Sequence, residues 1–296
     1  MRNRLYHACC WILCLLSSAA AQPAAAPEEG RYSSLLWEIK GKGVKGVSYL
    51  YGTIHAIPAD SFFVLPGLQA AAARADRLVL EVPMDLSLQS VIASAQGMMM
   101  PGNTRLRDLY PPDVYEEVDA FLSRGGSPLP GAASERMKPI LLAEQASRGS
   151  CLGADQQSYE IYLNELFRKQ EKPVSGLETV GQQLAFLDAI PLDRQAAYLL
   201  ESIREGDAGC AEYGQLVSRY RRQDLDALSE LSESAPGFSD YTEILLYSRN
   251  RAWIPKLRDW MQRERLLIAV GAGHLPGPSG VIELLREAGY EVSAVR

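Results

Sequence analysis

The hydrophobic positions of this chain fall into two patterns, short apolar runs and longer amphipathic segments. Short apolar runs bounded by turn residues are typical of buried strands. They lie at residues 35–39, 47–51, 77–80, 173–177, 266–270 and 290–295. The Gly-rich segment 41–46 separates the first two runs and predicts a β-hairpin.

Amphipathic segments with Pro or Gly at their ends predict helices between these strands. We expect helices at residues 66–75, 86–100, 112–124, 134–148, 154–169, 179–189, 193–205, 211–221, 239–263 and 278–288. Strands that alternate with helices build parallel sheets. The pattern therefore predicts an α/β fold with a central mixed, largely parallel sheet flanked by many helices.

One charged residue, Arg249, lies within the apolar face of the longest predicted helix. It is four residues after Leu245 and four before Trp253, so it shares their helix face. A buried arginine needs a partner, because an unpaired charge in the core is costly. In the alternative interpretation, the guanidinium reaches water from the edge of the apolar face.

The N-terminal residues have the pattern of a secretory signal peptide. Arg2 and Arg4 precede a short apolar segment at 8–16, and the small residues 19–21 suit a cleavage site before Gln22. An uncleaved membrane anchor is the alternative. We expect an exported protein, periplasmic or secreted, in a Gram-negative bacterium.

The rest of the chain shows no linker that would divide it. We predict a signal peptide at residues 1–21, a flexible lead-in at 22–33 and a single α/β domain at 34–296. Loss of the two N-terminal arginines changes the formal net charge from -6 to -8. An acidic chain without a Lys/Arg-dense run is a poor nucleic-acid binder, and no stretch after the signal is long and apolar enough to span a membrane.

Two cysteines, Cys151 and Cys210, remain once the N-terminal segment is removed. An even number of cysteines in an exported protein predicts a disulfide. The alternative is a pair of buried thiols.

Two copies of the motif Gly-x-x-His follow predicted strands. Gly52 precedes His55, and Gly271 precedes His274, while the third histidine of the chain, His7, lies in the predicted signal peptide. Glycine at a strand end permits a tight turn and a close approach of the backbone.

Two further predicted strands end beside a carboxylate, at Glu81 and Glu178. The carboxyl ends of parallel strands meet at one edge of a sheet. We therefore expect these glutamates to lie close to the two histidines of the repeated motif.

Two histidines and one or two carboxylates leave open positions on a metal, as in catalytic rather than structural sites. Nitrogen and oxygen donors suit Zn²⁺, Mn²⁺, Co²⁺ or Fe²⁺, and such a metal activates water for hydrolysis. A carboxylate that does not bind the metal can serve as general base. The alternative is that each histidine is a hydrogen-bonded core residue and each glutamate an ion-paired strand end.

The ordered motifs resemble the TraB/GumN family, which includes the polysaccharide-cluster protein GumN, the pheromone-shutdown protein TraB and the Wnt-cleaving TIKI metalloproteases. The matching segments are residues 50–55, 75–81, 176–179, 249–253 and 270–292. They cover nearly all of the chain after the signal peptide. The resemblance implies a fold similar to that of the erythromycin esterases and the haem-binding protein ChaN.

The resemblance also implies a metal-dependent protease site. It makes His55, His274 and Glu81 the candidate metal ligands. The candidate catalytic residues are Glu81, Glu178, Arg249 and Asn250. Asp155 matches an acidic position of the family less closely.

We therefore expect an exported metal-dependent hydrolase, most specifically a TIKI-like metallopeptidase, with a divalent metal ion (Mn, Co or Zn) and a peptide or protein substrate. One glutamate would bind the metal, the other would activate water, and Arg249 would stabilise an oxyanion or a substrate carboxylate. The sequence does not decide between the two glutamates, nor does it give the oligomeric state. The alternative function is a non-catalytic protein that binds a peptide, pheromone or haem, or an accessory protein of polysaccharide export.

Overall fold

A computed structural model describes residues 31–84, 87–149, 151–152, 155–206, 209–234 and 239–295. The predicted signal peptide and most of the predicted lead-in lie outside the described residues. No helix within the described ranges is long and apolar enough to cross a membrane.

A six-stranded sheet forms the centre of the molecule, in the order β6-β4-β7-β2-β1-β8. The strands are β1 (Leu36–Lys40), β2 (Ser48–Thr53), β3 (Ile57–Pro58), β4 (Arg77–Leu80), β5 (Gln156–Gln157), β6 (Val174–Gly176), β7 (Leu266–Gly271) and β8 (Glu291–Ala294). Within the six-stranded sheet β1 alone runs against the others, and β3 and β5 form a separate antiparallel pair. The predicted mixed, largely parallel sheet and the predicted hairpin are confirmed.

Helices surround this sheet. They are α1 (Pro66–Arg74), α2 (Leu88–Gly97), α3 (Pro112–Ser123), α4 (Pro139–Gly149), α5 (Tyr159–Lys169), α6 (Val180–Phe186), α7 (Leu192–Glu205), α8 (Gly209–Arg221), α9 (Leu225–Ser234), α10 (Ser248–Met261) and α11 (Val281–Glu287). Every residue of β7 is buried, which is what a strand covered by helices on both faces requires.

Two predicted helices begin five residues later than the sequence pattern indicated. The helix expected from residue 134 starts at Pro139, because the residue before a proline is excluded from the α conformation, and residues 131–136 form a 3₁₀-helix instead. The helix expected from residue 154 starts after Ser158, whose hydroxyl accepts from the Ile161 amide, and β5 precedes it. Residue 154 itself lies outside the described residues.

The helix expected over 239–263 is interrupted before its middle. A π-helical turn at Glu243–Tyr247 precedes α10, and the Ser248 amide bonds to the Glu243 carbonyl five residues back. The turn carries one extra residue relative to an α-helix, so the residues before Ser248 are rotated relative to those after it. Such insertions are frequent at functional sites.

Cys151 and Cys210 form the predicted disulfide, with their Cα atoms 4.9 Å apart. It ties the first turn of α8 to the segment that leads into α5. Both helices contact the loop after β2, as described below.

Candidate active site

Four neighbouring parallel strands, in the order β6-β4-β7-β2, bring the predicted site residues to one edge of the sheet. Leu80 is paired with both Gly176 and Ala269, and Gly52 is paired with Val270. The polar residues that follow these strands therefore emerge side by side. They are Glu178, Glu81, His274 and His55, and all four are buried.

His274 is held in one tautomer by Asn250. The amide nitrogen of Asn250 donates to the carbonyl oxygens of His274 (3.3 Å) and Ser279 (2.8 Å). Its amide oxygen is thereby left as the acceptor for the His274 Nδ1–H, at 2.6 Å. The Nε2 atom of His274 consequently carries the lone pair.

Burial lowers the pKa of His274 to about 3; the positive charges of Arg249 and His55 act in the same direction, while Glu81 opposes them. The imidazole is completely buried and its ring lies 4.5 Å from that of Trp253. A ring in this setting is neutral at neutral pH, so its Nε2 is a donor atom for a metal or an acceptor for a proton.

His55 is held by a carboxylate instead. Its Nδ1 lies 2.9 Å from Oε1 of Glu160, which also accepts from the hydroxyl of Thr53 at 2.6 Å. The hydroxyl of Ser158 donates to the second oxygen at 2.8 Å. Burial raises the pKa of Glu160, but the charge of His55 and these hydrogen bonds outweigh it and lower the pKa overall. An ionised Glu160 places the His55 proton on Nδ1 and the lone pair on Nε2.

Glu160 was missed by the sequence analysis. It is separated from His55 by 105 positions and belongs to no motif. In the sequence it is only an acidic residue within a predicted helix. In the structure it lies in the first turn of α5, where acidic residues are common for electrostatic reasons alone. Asp155, the acidic residue that the resemblance indicated, is exposed.

Glu81 lies beside His274 and is fixed at both oxygens. Its Oε1 accepts from the Gly271 amide at 2.7 Å and lies 3.7 Å from Nε2 of His274. Its Oε2 accepts from the side-chain amide of Gln183 at 3.1 Å and from Nη2 of Arg249 at 2.5 Å. Gln183 is the second residue of this site that no sequence signal indicated.

Glu81 is ionised despite its burial. Burial raises its pKa, but the electrostatic interactions with His274, Arg249 and His55 and the hydrogen bond from the Gly271 amide outweigh that effect and hold the pKa at about 2. Because His274 itself is neutral at neutral pH, Arg249 is the main counter-charge for this carboxylate.

Arg249 and Glu178 form a buried ion pair beside Glu81. The Arg249 Nε lies 3.0 and 3.1 Å from the two oxygens of Glu178, and its Nη2 lies 2.9 Å from Oε2. The indole nitrogen of Trp253 donates to Glu178 at 2.8 Å. Arg249 is 1% exposed, so it is a paired core arginine and does not reach water.

Arg249 also contacts His274. Its Nη1 lies 3.3 Å from Nε2 of His274 and donates to the Leu245 carbonyl at 2.9 Å. The guanidinium therefore joins both glutamates and one histidine of the predicted set.

Gly271 leaves room at the point where these side chains meet. A Cβ atom at this position would lie 3.3 Å from Oε1 of Glu81, 3.6 Å from Cδ2 of His274 and 3.8 Å from Nε2 of His55. A cavity of about 10 Å³ adjoins this point, lined by Leu80, Val82 and Ala269 together with the polar residues His55, Glu81, Glu160 and Gln183.

Known proteins are similar to this chain over almost its whole length. The Metalloprotease TIKI1 of Danio rerio is 22% identical over 96% of this chain and 68% of its own length, and that of Homo sapiens is 25% identical over 95% and 67%. The Metalloprotease TIKI2 of Danio rerio is 24% identical over 88% of this chain and 60% of its own length. No solved structure matches, so the likeness to the erythromycin esterases and ChaN stays a prediction. The TraB/PrgY/gumN family matches residues 35–294, and this chain belongs to it.

Proposed function

We propose that this chain is a metal-dependent hydrolase that cleaves peptide bonds. The observation that carries the proposal is the orientation of the two histidines. Glu160 and Asn250 hold the two Nδ1 protons, so both Nε2 atoms present lone pairs near Glu81. Ligand histidines in metalloenzymes are oriented in this way by partners at the other ring nitrogen.

The donor chemistry fits a divalent metal, although the side chains do not form a closed ligand set. Among the described residues, no group of three His, Cys, Asp or Glu side chains is arranged closely enough to hold a metal ion. Nε2 of His55 and Oε1 of Glu81 nevertheless face the space beside Gly271. Nε2 of His274 lies 3.7 Å from the same carboxylate oxygen. We assign His55, His274 and Glu81 as the ligands on this basis.

Each neighbouring residue has a role in this proposal. A divalent metal would supply Lewis-acid polarisation of the substrate carbonyl and would lower the pKa of a water molecule. The positive charge of Arg249 would act from a distance on negative charge that develops on that carbonyl, because its N–H groups already donate to Glu178 and Glu81. Glu178 holds the Arg249 guanidinium, and Asn250 holds the His274 proton at Nδ1.

The contacts of the two glutamates support different roles for them, a choice that the sequence left open. Both oxygens of Glu178 accept hydrogen bonds from Arg249, and one accepts from Trp253 as well. A carboxylate engaged in this way is a poor base. Glu81 lies within 3.7 Å of His274 and is the better ligand.

The named relatives support the peptide substrate. Those compared above are metalloproteases by name, at 22–25% identity. The chain spans between 60% and 68% of their lengths, so their activity is extended to this chain as part of the proposal.

Elemental analysis and peptide hydrolysis test the proposal together. The protein purified without chelator should carry one equivalent of Mn, Co or Zn and cleave a mixed peptide library, and a chelator should abolish the cleavage. His274→Ala should lose both metal and activity, while Arg251→Ala, at an exposed position of the same helix as Asn250, should keep both. Stoichiometric metal in folded His274→Ala would refute the ligand assignment, and a metal-free, inactive wild-type protein would favour the accessory or binding function.

A further inference from the structure

A second feature of the molecule lies beside the loop that carries His55. It is a groove of about 550 Å³, which is within the usual range of ligand sites. Tyr213, Val217 and Arg221 of α8 line it, together with Pro58 and Ser61 of the segment after His55. The disulfide contributes to the lining as well.

The groove and the candidate site are close to each other along the chain, and one hydrogen bond also joins a lining residue to the loop that carries His55. The Tyr213 hydroxyl donates to the carbonyl oxygen of Ala56, the residue after His55. Pro58 is three residues after His55, so their Cα atoms are at most about 11 Å apart. The groove therefore lies beside the loop that carries His55.

The charge of the groove is opposite to that of the protein. Arg221 and Arg222 both line it, and both are exposed. Within the described ranges neither guanidinium has a carboxylate partner, and the lining contains no Asp or Glu. The chain as a whole carries a formal charge of -6. Two unpaired arginines in a concave site favour a ligand with carboxylates, since complementary charge steers association and fixes register.

We propose that this groove binds an acidic segment of the substrate peptide, so that the enzyme prefers peptides with Glu or Asp to one side of the cleaved bond. The inference rests on the proposed peptidase function, because it concerns the residues that flank the scissile bond. The arginines form ion pairs with the substrate carboxylates, and the segment of peptide between groove and site lies along the loop after β2.

Fluorescence anisotropy tests the groove without any turnover. The probes are two short fluorescein-labelled peptides, one alternating Glu and Ala and the other alternating Gln and Ala. The wild-type protein should bind the Glu peptide about tenfold more tightly than the Gln peptide, as expected for two partly exposed ion pairs. Arg221→Glu/Arg222→Glu should abolish this preference.

A matched control separates the groove from net charge. Arg168 and Lys169 are adjacent, exposed cations in the last turn of α5 and do not line the groove. Arg168→Glu/Lys169→Glu changes the net charge equally and should keep the preference. If both double variants lose it to the same extent, or if wild type shows none, the inference is wrong.

Two further measurements keep the outcome decisive. Should charge reversal unfold the protein, as judged by circular dichroism, Arg221→Gln/Arg222→Gln must also remove the preference. If the protein carries no metal and hydrolyses no peptide, the proposed function is rejected, but the anisotropy result still tests the groove. If the protein hydrolyses both peptides with equal kcat/KM and binds them equally, the proposed acidic specificity of the groove is rejected and the peptidase function is kept.

Discussion

His55 and His274 follow neighbouring strands of one sheet, yet the partners of their Nδ1 atoms differ in charge. His55 bonds to the ionised carboxylate of Glu160, whereas His274 bonds to the neutral amide of Asn250. A carboxylate partner makes an imidazole the more basic donor, and an amide partner fixes the tautomer without adding charge. The same sequence motif therefore produces two electrostatically different histidines.

The glycines of the two motifs differ as well. A Cβ at Gly52 would meet Ala272 and Leu275, at 3.2–3.3 Å, so this glycine makes room for the turn of the other motif. A Cβ at Gly271 would meet Glu81 at 3.3 Å and His55 at 3.8 Å, so this glycine makes room for the site. The two motifs follow adjacent strands and contact each other, and their glycines have different roles.

We call His274 with Asn250, Arg249 and Glu178 the His274 half of the site, and His55 with Glu160, Gln183 and the loop after β2 the His55 half. Removal of Arg249, in the His274 half, should have the largest effect on stability. Arg249→Met leaves Glu81 and Glu178 buried without their cation, which costs about 3–5 kcal/mol. Urea unfolding measures this loss. Arg251→Met, on the same helix with a side chain 48% exposed, should cost less than about 1 kcal/mol. Equal losses in the two variants would mean that the ion pairs of Arg249 with Glu81 and Glu178 do not stabilise the fold.

The disulfide belongs to the His55 half. Cys151→Ser/Cys210→Ser opens a loop with a sequence separation of 59, and the chain-entropy estimate is about 4 kcal/mol of lost stability. The bridge ties α8, whose Tyr213 bonds to Ala56, to the segment before α5. We expect amide hydrogen exchange to increase around residues 53–57 and to stay unchanged around residues 272–276. Equal increases in both segments would show that the bridge stabilises the whole chain and no particular half.

The two halves could be predicted from the sequence to different degrees. Asn250 and Arg249 lie in a segment that the family resemblance covers, and a buried partner was one of the two interpretations of the apolar face around Arg249. The strand ends were predictable too, because β2, β4 and β7 are nearly continuous apolar runs and parallel strands end at one edge. The α/β fold follows from the same pattern.

The His55 half was less predictable because its contacts depend on tertiary packing. Glu160 approaches His55 from a helix more than a hundred residues away, and Gln183 approaches Glu81 from another. Neither residue follows a strand or belongs to a motif. One feature of the His274 half was missed as well, the π-helical turn before α10, because one extra residue in a turn barely changes the apolar periodicity.

Glu160→Gln should weaken metal binding without unfolding the protein. The substitution keeps the shape of the side chain but removes the charge that orients His55, and changes of this kind lower metal affinity by about 10–100-fold. Titration against a competing chelator measures the change. Glu165→Gln, at an exposed position of the same helix, should leave the affinity unaltered. An unaltered affinity in Glu160→Gln would instead place the metal away from His55.

The smallest change, Gly271→Ala, tests the space between the two halves. The backbone of Gly271 (φ -50°, ψ 136°) is allowed for alanine, so the fold should lose no more than about 1 kcal/mol. The new Cβ would press on Oε1 of Glu81, and metal content should fall while the urea midpoint changes little.

Gly52→Ala is the control and should show the opposite pattern, because its Cβ meets only backbone and apolar atoms. The variant should lose about 1–3 kcal/mol of stability and keep full metal content in the folded fraction. Full metal content in Gly271→Ala would mean that the ligands do not meet beside this glycine, and the asymmetry between the two motifs would then be one of packing alone.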